Sequence, residues 1–440
     1  MPTKPVVRTA APRKPLVADD AMWPRVTREV ADDLAADAIA RDRAGKPPYD
    51  EVARLREAGL PALLTPPAPL GPGRTGIDTA HDSGSGTGGS GGSGADWRTA
   101  AAVIREIAAA DGSIGELIAR HYVLSWSSRF FAAPDGPAGH EPSAVPGGLL
   151  LGGGTDLADP DSGPGLTLSP AGSGYLLNGR RSFAAGVTVA DRLVVGATST
   201  HTGELLIALV NPAHSGVLAG ADNDRLGQRL TGAGSVDFDN VPVGPDDILG
   251  AVPRDEHAVS AFTALAPLAL RLVLSHVALG IAEGALAEAR DVSRAVLPAP
   301  RAEAPDATSY AVRPSGDPYL LLAYGELATA AHTAAAVVER ATDALEQGLL
   351  TGSDLGMDER AEIAVLVAAA EAVTSRSAVD ITTRILELTQ AATSLDSSAA
   401  LDRFWRNARA LTAQSSPTHR LRDIGDHYLN GTHPPFTARS

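Results

Sequence analysis

Residues 401–431 read LDRFWRNARALTAQSSPTHRLRDIGDHYLNG. In the first half, Leu401, Phe404, Trp405 and Ala408 recur at i, i+3, i+4 and i+7, which draws one apolar stripe along a helix. Asp402 and Arg406 stand four residues apart, a spacing at which opposite charges meet on one helix face. Arg403, Arg406 and Arg409 place three guanidiniums near the end of the chain. Taken alone, the pattern describes an amphipathic helix that packs by its stripe and leaves its arginines in water.

Upstream of this stretch the chain is helical back to about residue 258. The segments 258–295, 317–347 and 357–391 are long and rich in Ala and Leu, and Asp317-Pro318 suits an N-cap and first turn. Long helices with short links predict a four-helix bundle over 251–440. The most apolar run, Ala258–Ile281, is broken by Pro267, Arg271 and His276, so it is expected to be a buried helix and not a membrane span.

Before residue 251 the period changes. Short apolar runs at 148–152, 166–169, 175–177, 193–197, 205–210, 217–219 and 236–238 alternate with turn signals, and Asn178-Gly179 is a hairpin-type pair. They predict a small β-barrel-like middle domain over 142–250.

Residues 22–141 read as an α-helical domain. One helix spans 22–44, with Trp23, Val26, Val30, Leu34 and Ile39 on one face, and another spans 49–58, closed by Gly59. A third covers 97–110 behind Asp96 as N-cap, with Ala101, Ile104, Ile107 and Ala108 inward, and a fourth begins at Ser113. Residues 67–95 are a flexible loop rich in Gly and Ser, and residues 1–21 a mobile arm. The G-x-G-x-x-G and G-x-S-x-G spellings inside that loop lack any strand–turn–helix context and carry no chemistry. The fold class is therefore α+β.

Composition narrows the function classes. A net charge of −15 with no basic stripe argues against nucleic acid as a partner. The chain has no cysteine, which removes disulfides, thiolate nucleophiles and Cys-based zinc sites. No histidine or carboxylate cluster has metal spacing. Residues 1–20 lack the apolar core of a signal peptide, in keeping with a cytoplasmic protein that is not held in a membrane.

LDRFWRNAR with IGDHYLNG, ADWRTAAAVIREIAAADGSIG (95–115), GYLLNG (174–179), GSVDFDNVPV (234–243) and LGIAEGALAEAR (279–290) together resemble the dibenzothiophene sulfide/sulfone monooxygenases. Those are reduced-flavin monooxygenases built on the acyl-CoA dehydrogenase fold, and the resemblance runs from Ala31 onward. It implies an acyl-CoA dehydrogenase-like chain: an N-terminal α-helical domain, a middle β domain and a C-terminal four-helix bundle. It also implies reduced FMN, or FAD, bound between the β domain and the bundle and delivered by a separate flavin reductase. A C4a-peroxyflavin would then oxygenate S or N of a small-molecule substrate. The expected assembly is a homo-oligomer, dimer or tetramer, or a hetero-oligomer with a paralogue.

The site positions that the resemblance implies are mostly substituted. Glu116 stands at a family histidine, although Ser113-x-x-Glu116 also spells a capping box. Arg120 replaces a tyrosine, and His121 is the next candidate. Phe183 matches the aromatic residue beside the flavin, Ala185 occupies a hydroxyl position, and Gly186 offers close backbone approach. Gly152–Gly154 replace flavin-lining residues, which leaves Thr155 as the hydroxyl there. Gln414 takes the place of the histidine in the loop after the 401–412 helix, a loop that the family lays over the flavin. Pro298 lies near the place of a phosphate arginine; Arg229, Arg294, Arg301 or Arg406 would serve instead. The expected catalytic set is Glu116, His121 and Gln414. The expected flavin set is Gly152, Thr155, Phe183, Ala185, Gly186, Arg229 and Arg406. Two other readings remain open: an acyl-CoA dehydrogenase-type FAD enzyme, against which Ser398 at the base position speaks, and a catalytically silent paralogue that assembles with an active subunit.

Overall fold

The structure, a computed structural model, describes residues 22–64, 95–132, 148–155, 165–222, 224–295, 317–389, 400–413 and 417–435. The expected arm at 1–21, nearly all of the loop at 67–95, and Pro298, Arg301, Ser398 and Gln414 lie outside the described residues.

Among the described residues, α-helices α1 (Met22–Ala44), α2 (Tyr49–Glu57), α3 (Trp97–Ala110), α4 (Gly112–Ser125) and α5 (Ser127–Phe130) come first. The start of α3 is set as expected, since the Asp96 carboxylate accepts from the Thr99 N–H at 2.7 Å. The start of α4 is not. Its N-cap is Asp111, whose Oδ1 accepts from the N–H of Ser113 at 3.0 Å and of Ile114 at 3.3 Å. Ser113 is already inside the helix, so the expected capping box does not form. The inward stripe of α1 also differs from expectation. Thr27, Ala31, Leu34, Ala38 and Asp42 are buried, while Trp23, Val26, Val30 and Ile39 are half-buried. Small side chains face α3, and Asp42 is inward because it has an arginine partner there.

The middle of the chain forms one eight-stranded sheet: β1 (Leu151–Gly154), β2 (Thr167–Ala171), β3 (Gly174–Phe183), β4 (Arg192–Ser199), β5 (Leu205–Val210), β6 (Val217–Ala221), β7 (Gly234–Val243) and β8 (Ile248–Val252). The order is β6-β7-β3-β2-β4-β5-β8. Short β1 runs parallel to β4 at residues 192–195, and β2 takes the same edge of β4 at Thr198–Ser199. The apolar runs of the sequence supply the inner core, including Leu168, Leu177, Val195, Ala208, Val236 and Phe238.

Two readings of this region change. Asn178-Gly179 is not a hairpin turn but a bulge inside β3, with Gly179 at φ +121° and the register shifting between Leu177 and Gly179. The β2–β3 turn falls at Gly172-Ser173. Strand β8 was not foreseen, and it carries the sheet to Val252, beyond residue 250.

Three long helices follow: α6 (Leu265–Ala295), α7 (Pro318–Thr351) and α8 (Met357–Leu388), and then α9 (Asp402–Thr412) and α10 (Pro417–Asn430). Helix α6 begins at Leu265 and not at residue 258. Of its most apolar stretch, 78% is buried inside the protein, as the interruptions of the sequence suggested. Its segment Gly280–Gly284 crosses α3 at very short range. A Cβ on Gly284 would sit 2.1 Å from the Ala109 carbonyl oxygen, and one on Gly280 2.4 Å from that of Arg105. Ala- and Gly-rich packing thus replaces aromatic bulk by bringing backbones together.

Helix α9 is the joint between the regions. Leu401, Phe404 and Ala408 are buried, as the stripe predicts, and Arg406 pairs with Asp402 at 2.9 Å. Of the three arginines, Arg409 is exposed as expected, but Arg403 and Arg406 are not in water. Arg403 is buried, lies 4.2 Å over the Phe404 ring and pairs with Glu288 of α6. Arg406 pairs with Asp42 of α1 and donates to the Leu226 carbonyl at 3.3 Å. Asn407 Oδ1 accepts the Gln228 N–H at 2.8 Å. The WRNAR motif therefore ties the bundle to α1 and to the segment before β7. A second departure follows it: residues 417–430, expected as part of the loop, are helical and pack on α8.

Candidate functional site

A cavity of about 910 Å³ lies between the sheet and the bundle. Its sheet wall includes Gly153, Gly154 and Thr155, then Arg180–Ala184 at the end of β3, then the β6–β7 region with Arg225. Its helical wall comes from α4, α6, α8, α9 and α10. The volume is at the upper end of the roughly 300–1,000 Å³ usual for a ligand site, enough for a planar cofactor with a second small molecule.

The site is cationic in an acidic protein. Arg180, Arg181 and Arg225 stand on the sheet wall, Arg271, Arg360 and Arg420 on the helical wall, and Arg120 on α4; the acidic side chains in the lining are Asp222 and Glu371. Arg181 lies over the Phe183 ring at 5.3 Å. Arg225 donates to the Ala184 carbonyl at 3.1 Å and the Thr231 hydroxyl at 3.2 Å. Arg271 Nε meets Glu371 Oε2 at 2.6 Å, and Arg420 Nε lies 3.2 Å from the same oxygen. Burial pushes the Arg271 guanidinium below its ordinary value; Glu371 pulls it back and Arg420 adds to the drop.

Of the expected flavin set, Thr155 and Phe183 line the cavity, and Gly153, Gly154, Ser182 and Ala184 join them. Gly152 and Gly186 do not. They pack against each other, so that a Cβ on Gly186 would lie 2.5 Å from Gly152 Cα. Ala185 points into a small apolar cluster with Val52, Leu117, Leu150 and Val189, away from the cavity. Arg229 lies against Gly45, between α1 and α2, and Arg406 is held by Asp42, Asp402 and the Leu226 carbonyl. Neither arginine belongs to the lining.

The expected catalytic set separates in the same way. His121 is buried with both ring nitrogens bound to backbone: Nε2 lies 2.8 Å from the Pro61 carbonyl and Nδ1 accepts the Leu151 N–H at 3.0 Å. Nδ1 as acceptor makes Nε2 the donor, a neutral tautomer. Burial lowers its pKa to about 4, so it does not exchange protons with a ligand near neutral pH. Its task is to brace β1. Glu116 is also buried and sits outside the lining, but it holds Arg120 Nε at 2.7 Å, and Arg120 reaches the cavity.

Several lining residues escaped the sequence reading: Arg271, Arg360, Glu371, His419 and Arg420. His419 is the one histidine in the lining among the described residues. The available signal was Pro417, a good first residue for a helix whose first turn places His419 and Arg420 at the cavity.

Comparison with known proteins agrees with this architecture. Residues 272–416 match the family described as acyl-CoA dehydrogenase, C-terminal domain. The chain is 31% identical over 422 residues to a dibenzothiophene monooxygenase of Rhodococcus qingshengii, covering 93% of each. It is 29% identical over 412 residues to the probable FMNH2-dependent monooxygenase SfnC of Pseudomonas putida, covering 93% of this chain and 95% of that one. The FMN-bound structure of TdsC from Paenibacillus sp. A11-2 superposes with a TM-score of 0.79 at 30% identity, over 95% of this chain and 100% of the other. With the layered architecture, the cavity between sheet and bundle and these relatives in agreement, the chain belongs to the dibenzothiophene monooxygenase family, the reduced-flavin monooxygenases of the acyl-CoA dehydrogenase superfamily.

Proposed function

We propose that this protein is the oxygenase component of a two-component monooxygenase, which uses reduced FMN from a separate flavin reductase to oxygenate S or N of a small molecule. The observation that carries this reading is the cavity itself: an aromatic residue at Phe183, a glycine-containing wall at Gly153–Thr155 and a cationic lining, at the junction of sheet and bundle. These residues fit a flavin. Phe183 offers a face for the ring, the glycines let backbone approach it, and Arg180, Arg181 and Arg225 offer guanidiniums to its phosphate. Bound there, reduced FMN supplies the two electrons that reduce one oxygen atom of O₂ to water while the other is transferred.

The chain's own residues bind, shield and handle protons. Val123, Leu124 and Leu274 keep the middle of the cavity apolar, which excludes water from the reaction. Arg120, steadied by Glu116, offers a fixed positive charge to the cavity. His419, in the lining, offers an imidazole with one donor and one acceptor nitrogen. The assembly we propose is a homo-oligomer through α7, since only 28% of the most apolar stretch of that helix is buried within one chain.

The test is anaerobic titration with reduced and oxidised FMN, followed by rapid mixing with oxygen. Reduced FMN carries an extra negative charge on the ring, so an arginine-lined site should bind it at least tenfold tighter than oxidised FMN. Bound reduced FMN should also be consumed by oxygen more slowly than free reduced FMN when no substrate is present. A protein that binds neither form would overturn the reading.

A further inference from the structure

The cavity holds two separate sets of arginines, and one flavin has one phosphate. In the sheet-wall set, Arg181 lies over Phe183, where the ring rests in the reading above, Arg225 holds the Ala184 carbonyl, and Arg180 pairs with Asp237. The helical-wall set, Arg271, Arg360 and Arg420, comes from α6, α8 and α10. We propose that this second set binds the acid group of the substrate, so that the substrate is a small organic anion (a carboxylate, sulfinate or sulfonate) with an apolar body. The proposal rests on the flavin reading and names the substrate class for the same site.

The charge balance of the helical wall calls for a further anion. Arg271 and Arg420 both address one oxygen of Glu371, at 2.6 and 3.2 Å. Asp423 stands 3.8 Å from Arg420 Nη1, and its charge also acts on Arg271. Arg360, on the same helix as Glu371, donates to the Pro434 carbonyl. Three guanidiniums thus face two carboxylates, one of which is shared. Arg271 Nη2 and Arg360 Nε are buried without a hydrogen-bond partner. A guanidinium N–H buried without an acceptor is unfavourable, and a planar oxyanion is the acceptor that matches its fork.

The wall between the two sets is apolar. Val123, Leu124, Leu274 and Ala278 line it and would cover the body of the molecule while its acid group meets Arg271. The arrangement also rejects neutral molecules of the same shape, because they would leave the buried donors unpaired.

The experiment measures calorimetric binding of naphthalene-2-sulfonate and of its neutral analogue naphthalene-2-sulfonamide, with and without FMN. The wild-type protein should bind the sulfonate at least tenfold tighter than the sulfonamide. Arg271→Gln should erase that preference and leave FMN affinity within twofold of wild type; Arg420→Gln, with Arg271 intact, should reduce the preference in part. Melting curves establish that each variant is folded, and competition by inorganic sulfate on the wild-type protein reads the same site if Arg271→Gln does not fold. Equal binding of the two probes, binding of neither, a preference unchanged in a folded Arg271→Gln, or no competition by sulfate would overturn the proposal. Loss of FMN binding in Arg271→Gln would assign the cluster to the flavin phosphate, which overturns this proposal and leaves the monooxygenase reading in place. Absence of FMN binding in the wild-type protein, with the sulfonate preference intact, would remove the flavin reading alone.

Discussion

Asp111 does at one position what the sequence assigned to another. Its carboxylate caps α4 and also receives Arg41 Nη2 at 2.8 Å, and Arg41 in turn reaches Asp37, Glu51 and the Leu34 carbonyl. Burial raises the pKa of Asp111, and the Arg41 charge opposes the rise. Asp111→Ala removes the cap and one partner of a buried arginine, so it should cost about 2–4 kcal/mol, more than the ~1 kcal/mol of an exposed cap. Ser113→Ala should cost less than about 0.5 kcal/mol, in the range of substitutions that break no cap or network. Denaturant midpoints of the two variants decide the matter. If Ser113→Ala proved the more damaging, the cap assignment would fail.

At the scale of the element, α6 carries a pH dependence in its core. His276 is buried, with Nε2 2.8 Å from the Thr342 hydroxyl of α7. Burial lowers its pKa to about 3, and the charge of Arg105 adds to the drop. A histidine kept neutral in the fold is protonated first in the unfolded chain. Stability is therefore unaffected above the unfolded value of about 6.5 and is lost as the pH falls below it, until the folded value near 3 is reached. His121 acts in the same direction down to about 4. Melting temperature should fall from pH 6.5 to pH 4, and His276→Gln should flatten the slope by up to one proton, about 1.4 kcal/mol per pH unit. An identical slope in the variant would show that His276 does not titrate on unfolding.

For the whole molecule, the surface of α7 is the feature a single chain leaves unexplained. Tyr319, Leu321 and Leu322 are 83%, 56% and 62% exposed at its start, and neighbouring apolar side chains on a surface mark an interaction face. Sedimentation of the wild-type protein at micromolar concentration should give a dimer or tetramer. Replacing Leu321 and Leu322 by Glu together should dissociate it with little change in helix content. A stable wild-type monomer would contradict this, and an oligomer that survives the double change would place the contact elsewhere.

What the sequence determined by itself is local or repeated. The stripe Leu401–Phe404–Ala408, the N-cap Asp96 and most strand positions rest on periodicity and on single side chains next to their own backbone. The motifs also led to the superfamily, and two of them, α9 and the Gly280–Gly284 crossing, hold the layers together. What only the tertiary structure decided depends on residues distant in sequence. Arg406 is a strut because Asp42 lies 364 positions away, and Arg271 faces the cavity beside Glu371, 100 positions on. Gly152 meets Gly186, while its neighbour Gly153 lines the site, a one-residue alternation that no composition reveals. A charged side chain becomes site, strut or solvated surface according to which partners the fold brings within a few ångströms, and no spacing along the chain encodes that distance.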